Sequence, residues 1–206
     1  NMNIDDIFKI YNCKPTGIIH IGAHMCEEQP IYLKYLPEDK IIWIEGNPET
    51  YKKAKTILKN VNIYNALICD DEKYVDFIVT NNICSSSIFP LKEHKNKHPD
   101  VIETKRIKLK TITFKQFVEI NNIDVKKYNL LVMDTQGAEL MILQGMIELL
   151  DNFDYIFLEV SVVELYEGYC LFDDMTKFLN DHNFYLKAYK INKHQWGDAF
   201  FVKNGS

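Results

Sequence analysis

Tyr128–Met146 reads YNLLVMDTQGAELMILQGM, and the fold class is decided there. Leu130-Leu131-Val132-Met133 is an apolar run without alternation, the pattern of a strand buried on both faces. The run stops at a carboxylate, Asp134, and turns through Thr135-Gln136-Gly137. Leu140, Leu143 and Ile147 then recur at three- and four-residue steps, with Met141 flanking, which predicts a helix. Open α/β sheets bind ligands where the carboxyl end of a buried strand delivers polar groups just ahead of a helix. This stretch is the expected floor of an active site.

The chain on either side has the same rhythm. Ile18-Ile19-His20-Ile21 predicts a first buried strand ending at Gly22-Ala23-His24, with a helix from about Glu27 to Leu36. Ile41-Ile42-Trp43-Ile44 predicts a second, closed by Glu45-Gly46-Asn47-Pro48 and followed by a helix from Glu49 to Leu58. Val61 to Leu67 is the third strand, and this βαβαβ order implies a parallel sheet with right-handed crossovers.

From Cys69 to Thr113 the rhythm changes. Tyr74–Val79 is an extra strand, Asn81–Phe89 a polar loop rich in serine, and Arg106–Leu109 another alternating stretch. The expectation is one domain over residues 1–206, with about 70–113 inserted between the third and fourth parallel strands, over the ligand face. Helix Phe114–Asn121 leads into the opening stretch, and strand Tyr155–Leu158 follows it, ending at Glu159. Helix Phe172–Asn180 and strands Tyr185–Tyr189 and Ala199–Val202 close one sheet edge, one strand running antiparallel. A short amphipathic helix, Ile4–Tyr11, is expected against the sheet edge.

Composition excludes several classes. A chain of 206 residues with 47% hydrophobic and 26% charged residues can bury a core as one globular unit. Its net charge of -5 argues against a generic nucleic-acid binder, and no nucleic-acid partner is expected. The five cysteines are scattered without a CxxC pair, the usage of reduced thiols in a cytoplasmic protein. No stretch approaches the ~20 apolar residues of a membrane span, and the opening residues carry no secretory leader pattern.

Two strand ends carry the next inference. Gly22 lets backbone come close to a ligand, and a following helix start offers free N–H groups. The turn is not GxGxxG, so it does not make a dinucleotide fingerprint. Glu45 ends the next strand about 20 residues on, where an acid accepts hydrogen bonds from ribose hydroxyls. Together the two turns point to an adenosine ligand.

Asp134-Thr-Gln-Gly-Ala-Glu139, followed by Leu143-Gln-Gly145, resembles the FkbM-like family of S-adenosylmethionine-dependent methyltransferases. His20-Ile-Gly-Ala-His24 looks like that family's first motif, and Ile44-Glu-Gly-Asn-Pro48 like its ribose motif. Ser85-Ser86-Ser87 is similar to its central serine loop, and Gly197-Asp-Ala-Phe-Phe201 to its closing strand. The chain has His20, His24 and Cys26 where the family more often has Asp, Asn and Gly, and Gln136 where Glu is common.

The resemblance implies a class I, Rossmann-like fold with a mostly parallel seven-stranded sheet and helices on both faces. It implies methyl transfer from S-adenosylmethionine, leaving S-adenosylhomocysteine, to a hydroxyl of a sugar, glycoconjugate or small natural product. An RNA ribose 2'-O-methyltransferase and a catalytically inactive binding module with the same fold are the alternatives. Cofactor contacts are then expected from His20, Gly22, Ala23 and His24 at the first turn. Glu45, Asn47 and Leu67 would hold the adenosine end, with Ser86, Asp134 and Gln136 at the other.

A hydroxyl is a poor nucleophile at neutral pH, so a base is required. Asp134 is the first candidate, with binding of the cofactor ammonium or orientation of the loop as its other role; Glu159 is the second. Ser87, His94, Lys95 and Glu139 are expected to touch the acceptor, although a carboxylate in a first helical turn is also favoured by the dipole alone. Lys92, His94, Lys95, Lys97 and His98 form a basic segment that suits a phosphate-bearing acceptor such as a nucleotide-sugar. No metal site is expected, and the protein is expected to be a monomer or homodimer.

Overall fold

The computed structural model describes residues 2–80, 87–88, 102–164 and 170–205. Strands β1 (Ile18–Ile21), β2 (Ile41–Glu45), β3 (Ile63–Asn65), β7 (Leu130–Met133), β8 (Tyr155–Ser161), β9 (Phe184–Ile191) and β10 (Trp196–Lys203) form the main sheet. Their spatial order is β3-β2-β1-β7-β8-β10-β9, and only β10 runs antiparallel to its neighbours. A second, three-stranded sheet has the order β4-β6-β5, from β4 (Leu67–Cys69), β5 (Tyr74–Thr80) and β6 (Glu103–Thr113). The third strand expected over Val61–Leu67 is thus split: β3 stays in the main sheet, and β4 leaves it to pair with β6.

Every residue of β1, β2 and β7 is buried, because helices cover both faces. Alternate residues feed two separate cores, as a period of two requires. On one face Ile19, Ile21, Ile42, Ile44, Leu131 and Met133 meet helices α4 (Phe114–Ile120), α5 (Glu139–Gln144) and α6 (Phe172–Asp181). On the other, Ile18, Trp43, Leu130, Val132 and Phe200 meet α1 (Ile4–Ile10), α2 (Gln29–Tyr32) and α3 (Pro48–Ile57). Helix α1, expected at the sheet edge, instead lies on this second face, with Ile4, Ile7 and Phe8 buried in it. From Phe184 to Tyr189 the edge strand β9 alternates covered or half-buried residues with exposed ones, as a strand covered on one face does.

Two helices are shorter than their sequence pattern. The span Glu27–Leu36 holds only the four residues of α2. Positive φ at His24 and Cys26 delays its start, and three-residue turns to Ile31 and Tyr32 carbonyls loosen its end. After β7, α5 stops at Gln144 and a 3-10 turn covers Ile147–Asn152, leaving Ile147 exposed. The buried side of this segment is Glu139, Ile142, Leu143 and Met146, one step round from the expected stripe.

Candidate active site

The carboxyl ends of β1, β2 and β7 open into a cavity of about 260 Å3. Its lining includes His20, Gly22, Ala23 and His24 from the first turn, Glu45 and Asn47 from the second, and Asp134 and Gln136 from the third. Three turns far apart in sequence meet because parallel strands in register finish at one edge. Leu67, Ile68, Phe77 and Ile88 form an apolar wall, contributed largely by the second sheet and the bridge it makes with Ser87.

Gly22 and its neighbours are used differently from the expectation. The Gly22 and Ala23 N–H groups donate to the Ile44 carbonyl, at 2.9 and 3.0 Å. The His24 N–H donates to Glu45 Oε2 at 2.7 Å, and the Met25 N–H to Glu27. The turn therefore spends these N–H groups inside the protein, and α2 begins only at Gln29; it is no free anion cradle. Gly22, at φ +83°, is required by the approach of β7: a Cβ there would lie 1.8 Å from the Asp134 carbonyl oxygen.

Glu45 is 8% exposed, with one carboxylate oxygen on the His24 N–H and the other on the Asn47 N–H, each at 2.7 Å. It thereby ties the first two turns together while facing the cavity. Burial pushes its carboxyl up to about 7, against the pull of those two N–H donors. Asn47 also has a structural task, capping α3 through Oδ1 on the Glu49 N–H. His24 is held by Glu27, and that carboxylate raises its pKa.

At the other end, Gln136 Nε2 donates to Asp134 Oδ1 at 2.6 Å and to Glu159 Oε2 at 2.9 Å. Asp134 is open to cavity solvent yet deep in the protein, and burial raises its carboxyl above the usual range. Glu159 is buried and held well above its ordinary value, first by burial and then by the charge of Asp134. It was expected at a strand end but lies within β8, facing a neighbouring cavity rather than the first one. His20 is 3% exposed, stacks on Trp43 and meets the Tyr32 hydroxyl through Nδ1 at 3.1 Å. Burial lowers its pKa to about 4, so it is neutral at pH 7.

Two candidates fall elsewhere. Glu139 is sealed under the turn, accepting the Thr135 and Gly137 N–H groups at 2.8 and 3.1 Å, and lines neither cavity. It organises the loop instead of facing an acceptor. Ser87 is buried and donates to the Gln136 carbonyl at 2.7 Å, which fastens the second sheet to the same turn. Ser86, His94, Lys95 and the rest of the basic segment lie outside the described residues. Sequence reading missed Glu28 and Asp198. Asp198 stands in the quoted closing strand, and a lone acid directly ahead of the apolar run Ala199–Val202 was the available signal.

Among the described residues no helix is long and apolar enough to cross a membrane, and Cys13, Cys26, Cys69 and Cys170 are unpaired thiols.

Solved structures share the fold. A SAM-dependent methyltransferase from Aquifex aeolicus is similar with a TM-score of 0.52 at 13% identity, over 97% of this chain and 88% of that one. Magnesium protoporphyrin IX methyltransferase from Synechocystis PCC 6803, with bound SAM, gives 0.50 at 10% identity over 98% and 76%. A protein of the NADB-Rossmann superfamily from Streptococcus agalactiae gives 0.52 at 13% identity over 98% and 68%. No curated protein sequence matches the chain. The methyltransferase FkbM domain matches residues 20–186, most of the chain, and the protein belongs to that family of methyltransferases.

Proposed function

We propose that the protein is an S-adenosylmethionine-dependent O-methyltransferase acting on a hydroxyl of a sugar, glycoconjugate or small natural product. The observation that carries this reading is one cavity with Glu45 at one end and Asp134, bridged through Gln136 to Glu159, at the other. An apolar slot of Leu67, Ile68, Phe77 and Ile88 beside a buried carboxylate suits an adenine ring and its ribose. The cofactor supplies an electrophilic methyl group on a sulfonium. What the chain must add is alignment of the acceptor oxygen and a place for its proton. Asp134 sits at the carboxyl end of its strand and is reachable from the cavity, which suits it to take that proton.

Calorimetric titration with S-adenosylhomocysteine tests the reading. Saturable heat and a concentration-dependent rise in Tm are expected; neither heat nor stabilisation with either form of the cofactor would sink it. The titration also has an expected pH dependence. Ribose hydroxyls donate to ionised Glu45, so binding favours loss of its proton, and affinity rises with pH through about 7. With that value the ionised fraction grows about tenfold between pH 6 and 8. Glu45→Gln should remove most of that slope and weaken binding by about 10- to 100-fold, the worth of a charge-assisted hydrogen bond. A wild-type affinity flat across this range would dismiss Glu45 as the ribose acceptor.

A further inference from the structure

The cavity at the strand ends carries charge of one sign. Glu27, Glu28, Glu45 and Asp134 all line it, and among the described residues no Lys or Arg does. Two histidines share the wall without reversing that sign. His20 is neutral at pH 7, and any proton on His24 only balances the Glu27 carboxylate that holds it.

The backbone adds little compensation. Turn N–H groups are the usual fixed positive charge at the carboxyl edge of such a sheet. Here the first turn gives its Ala23, His24 and Met25 N–H groups to the Ile44 carbonyl, Glu45 and Glu27. The second gives the Asn47 N–H to Glu45, and the third gives the Thr135 and Gly137 N–H groups to Glu139. All three turns satisfy the protein's own acceptors.

Three of the lining acids have internal tasks: Glu27 holds His24, Glu45 ties two turns together, and Asp134 accepts from Gln136. Glu28 has none of these. Its side chain is 39% exposed, its carboxylate lies 3.9 Å from Nδ1 of the neutral His20, and among the described residues no Lys or Arg pairs with it. Burial raises its carboxyl, and a positive ligand beside it would favour the ionised form.

S-adenosylmethionine and S-adenosylhomocysteine carry the same amino-acid zwitterion and differ in charge by the sulfonium alone. Carboxylates in a protein wall act on such a difference more strongly than they would in water. We propose that this cavity tells the methyl donor from the spent product by charge, with Glu28 as a specificity-determining residue that favours the cationic form. The inference rests on the methyltransferase reading and deepens it. The product, neutral at sulfur, is held less tightly, which favours its exchange for fresh donor.

The test is calorimetry on the full chain at about pH 8, above the value of about 7 to which burial pushes Glu45. Three ligands are compared: S-adenosylmethionine, S-adenosylhomocysteine, and sinefungin, in which a carbon bearing a protonated amine replaces the methylated sulfur. Both cationic ligands are expected to bind about tenfold or more tightly than the product. Glu28→Gln should weaken both cations by about three- to tenfold and leave the product within about twofold, while Glu28→Asp keeps the preference. Product binding as tight as donor binding overturns the proposal. So does sinefungin binding no better than the product, since the methyl group and not the charge would then be read. A Glu28→Gln variant that weakens all three ligands alike, or none, removes Glu28 from the role. The wild-type comparison decides the charge selection alone if that variant does not fold. If none of the three ligands binds, the cofactor reading itself falls, whereas equal binding of all three removes only the selection.

Discussion

Gly22→Ala is expected to lower stability by about 3 kcal/mol or more and to abolish cofactor binding. Two costs meet at this position. The first is a φ of +83°, which a residue with a Cβ adopts at about 1 kcal/mol or somewhat more. The second is a Cβ 1.8 Å from the Asp134 carbonyl oxygen and 2.6 Å from its carbon, both backbone atoms that no side-chain rotation can move aside. Relief requires β1 and β7 to separate at their carboxyl ends. That breaks the Asp134 N–H bond to the Ile21 carbonyl and moves Asp134 away from the first turn.

For a chain of this size, 3 kcal/mol corresponds to a fall in Tm of about 6–12 °C. Gly205→Ala provides the control. Its φ is +89°, but nothing lies within 4 Å of the added Cβ, so it bears the first cost without the second. If thermal unfolding puts the two variants within about 1 kcal/mol of each other, the close approach of the strands is not what Gly22 is for.

That Gly22, Glu45 and Asp134 share one cavity was legible in the sequence, because strands buried on both faces have no other reading than a covered parallel sheet. Their polar terminators then align at one edge. The roles within the cavity were harder to read. Glu139 looked like an acid available to a ligand, but the turn after Asp134 folds back so that its N–H groups take both carboxylate oxygens. Glu159 read as a strand end because a charge normally stops an apolar run. It stays in the strand because Gln136, from a different turn, satisfies it. Asp198 escaped because its position opposite Glu159 depends on the register of an antiparallel return, and no local pattern encodes that register. Phe77 and Ile88 would be assigned to a core by hydrophobicity alone; only the second sheet brings them over the cavity.

Asp134→Asn is expected to cost a factor of about 10²–10⁴ in kcat, the range a positioned general base supplies. Affinity for S-adenosylhomocysteine should change little, since Asn keeps the shape and an oxygen for Gln136. The assignment to Asp134 rather than Glu159 follows from how the two acids are held. Both are raised by burial, but Glu159 is more enclosed and also feels the charges of Asp134, Glu139 and Asp198. Two neighbouring carboxylates, one of them buried, resist ionising together. Glu159, the more strongly raised of the two, is then the one expected to keep a proton, which leaves Asp134 as the proposed base.

Glu159→Gln should be the milder change, because an amide is neutral, as the protonated acid is. With the neighbouring titratable group removed, the rise of kcat with pH should collapse from the broad limb of a coupled pair to a single ionisation. The wild-type limb should lie above the ordinary carboxylate range, as the direction of both shifts requires. Activity is then absent where Asp134 is protonated and appears as pH rises through its raised pKa. Full activity in Asp134→Asn, or a larger loss in Glu159→Gln than in Asp134→Asn, would transfer the base to Glu159 and leave Asp134 holding the methyl donor in place.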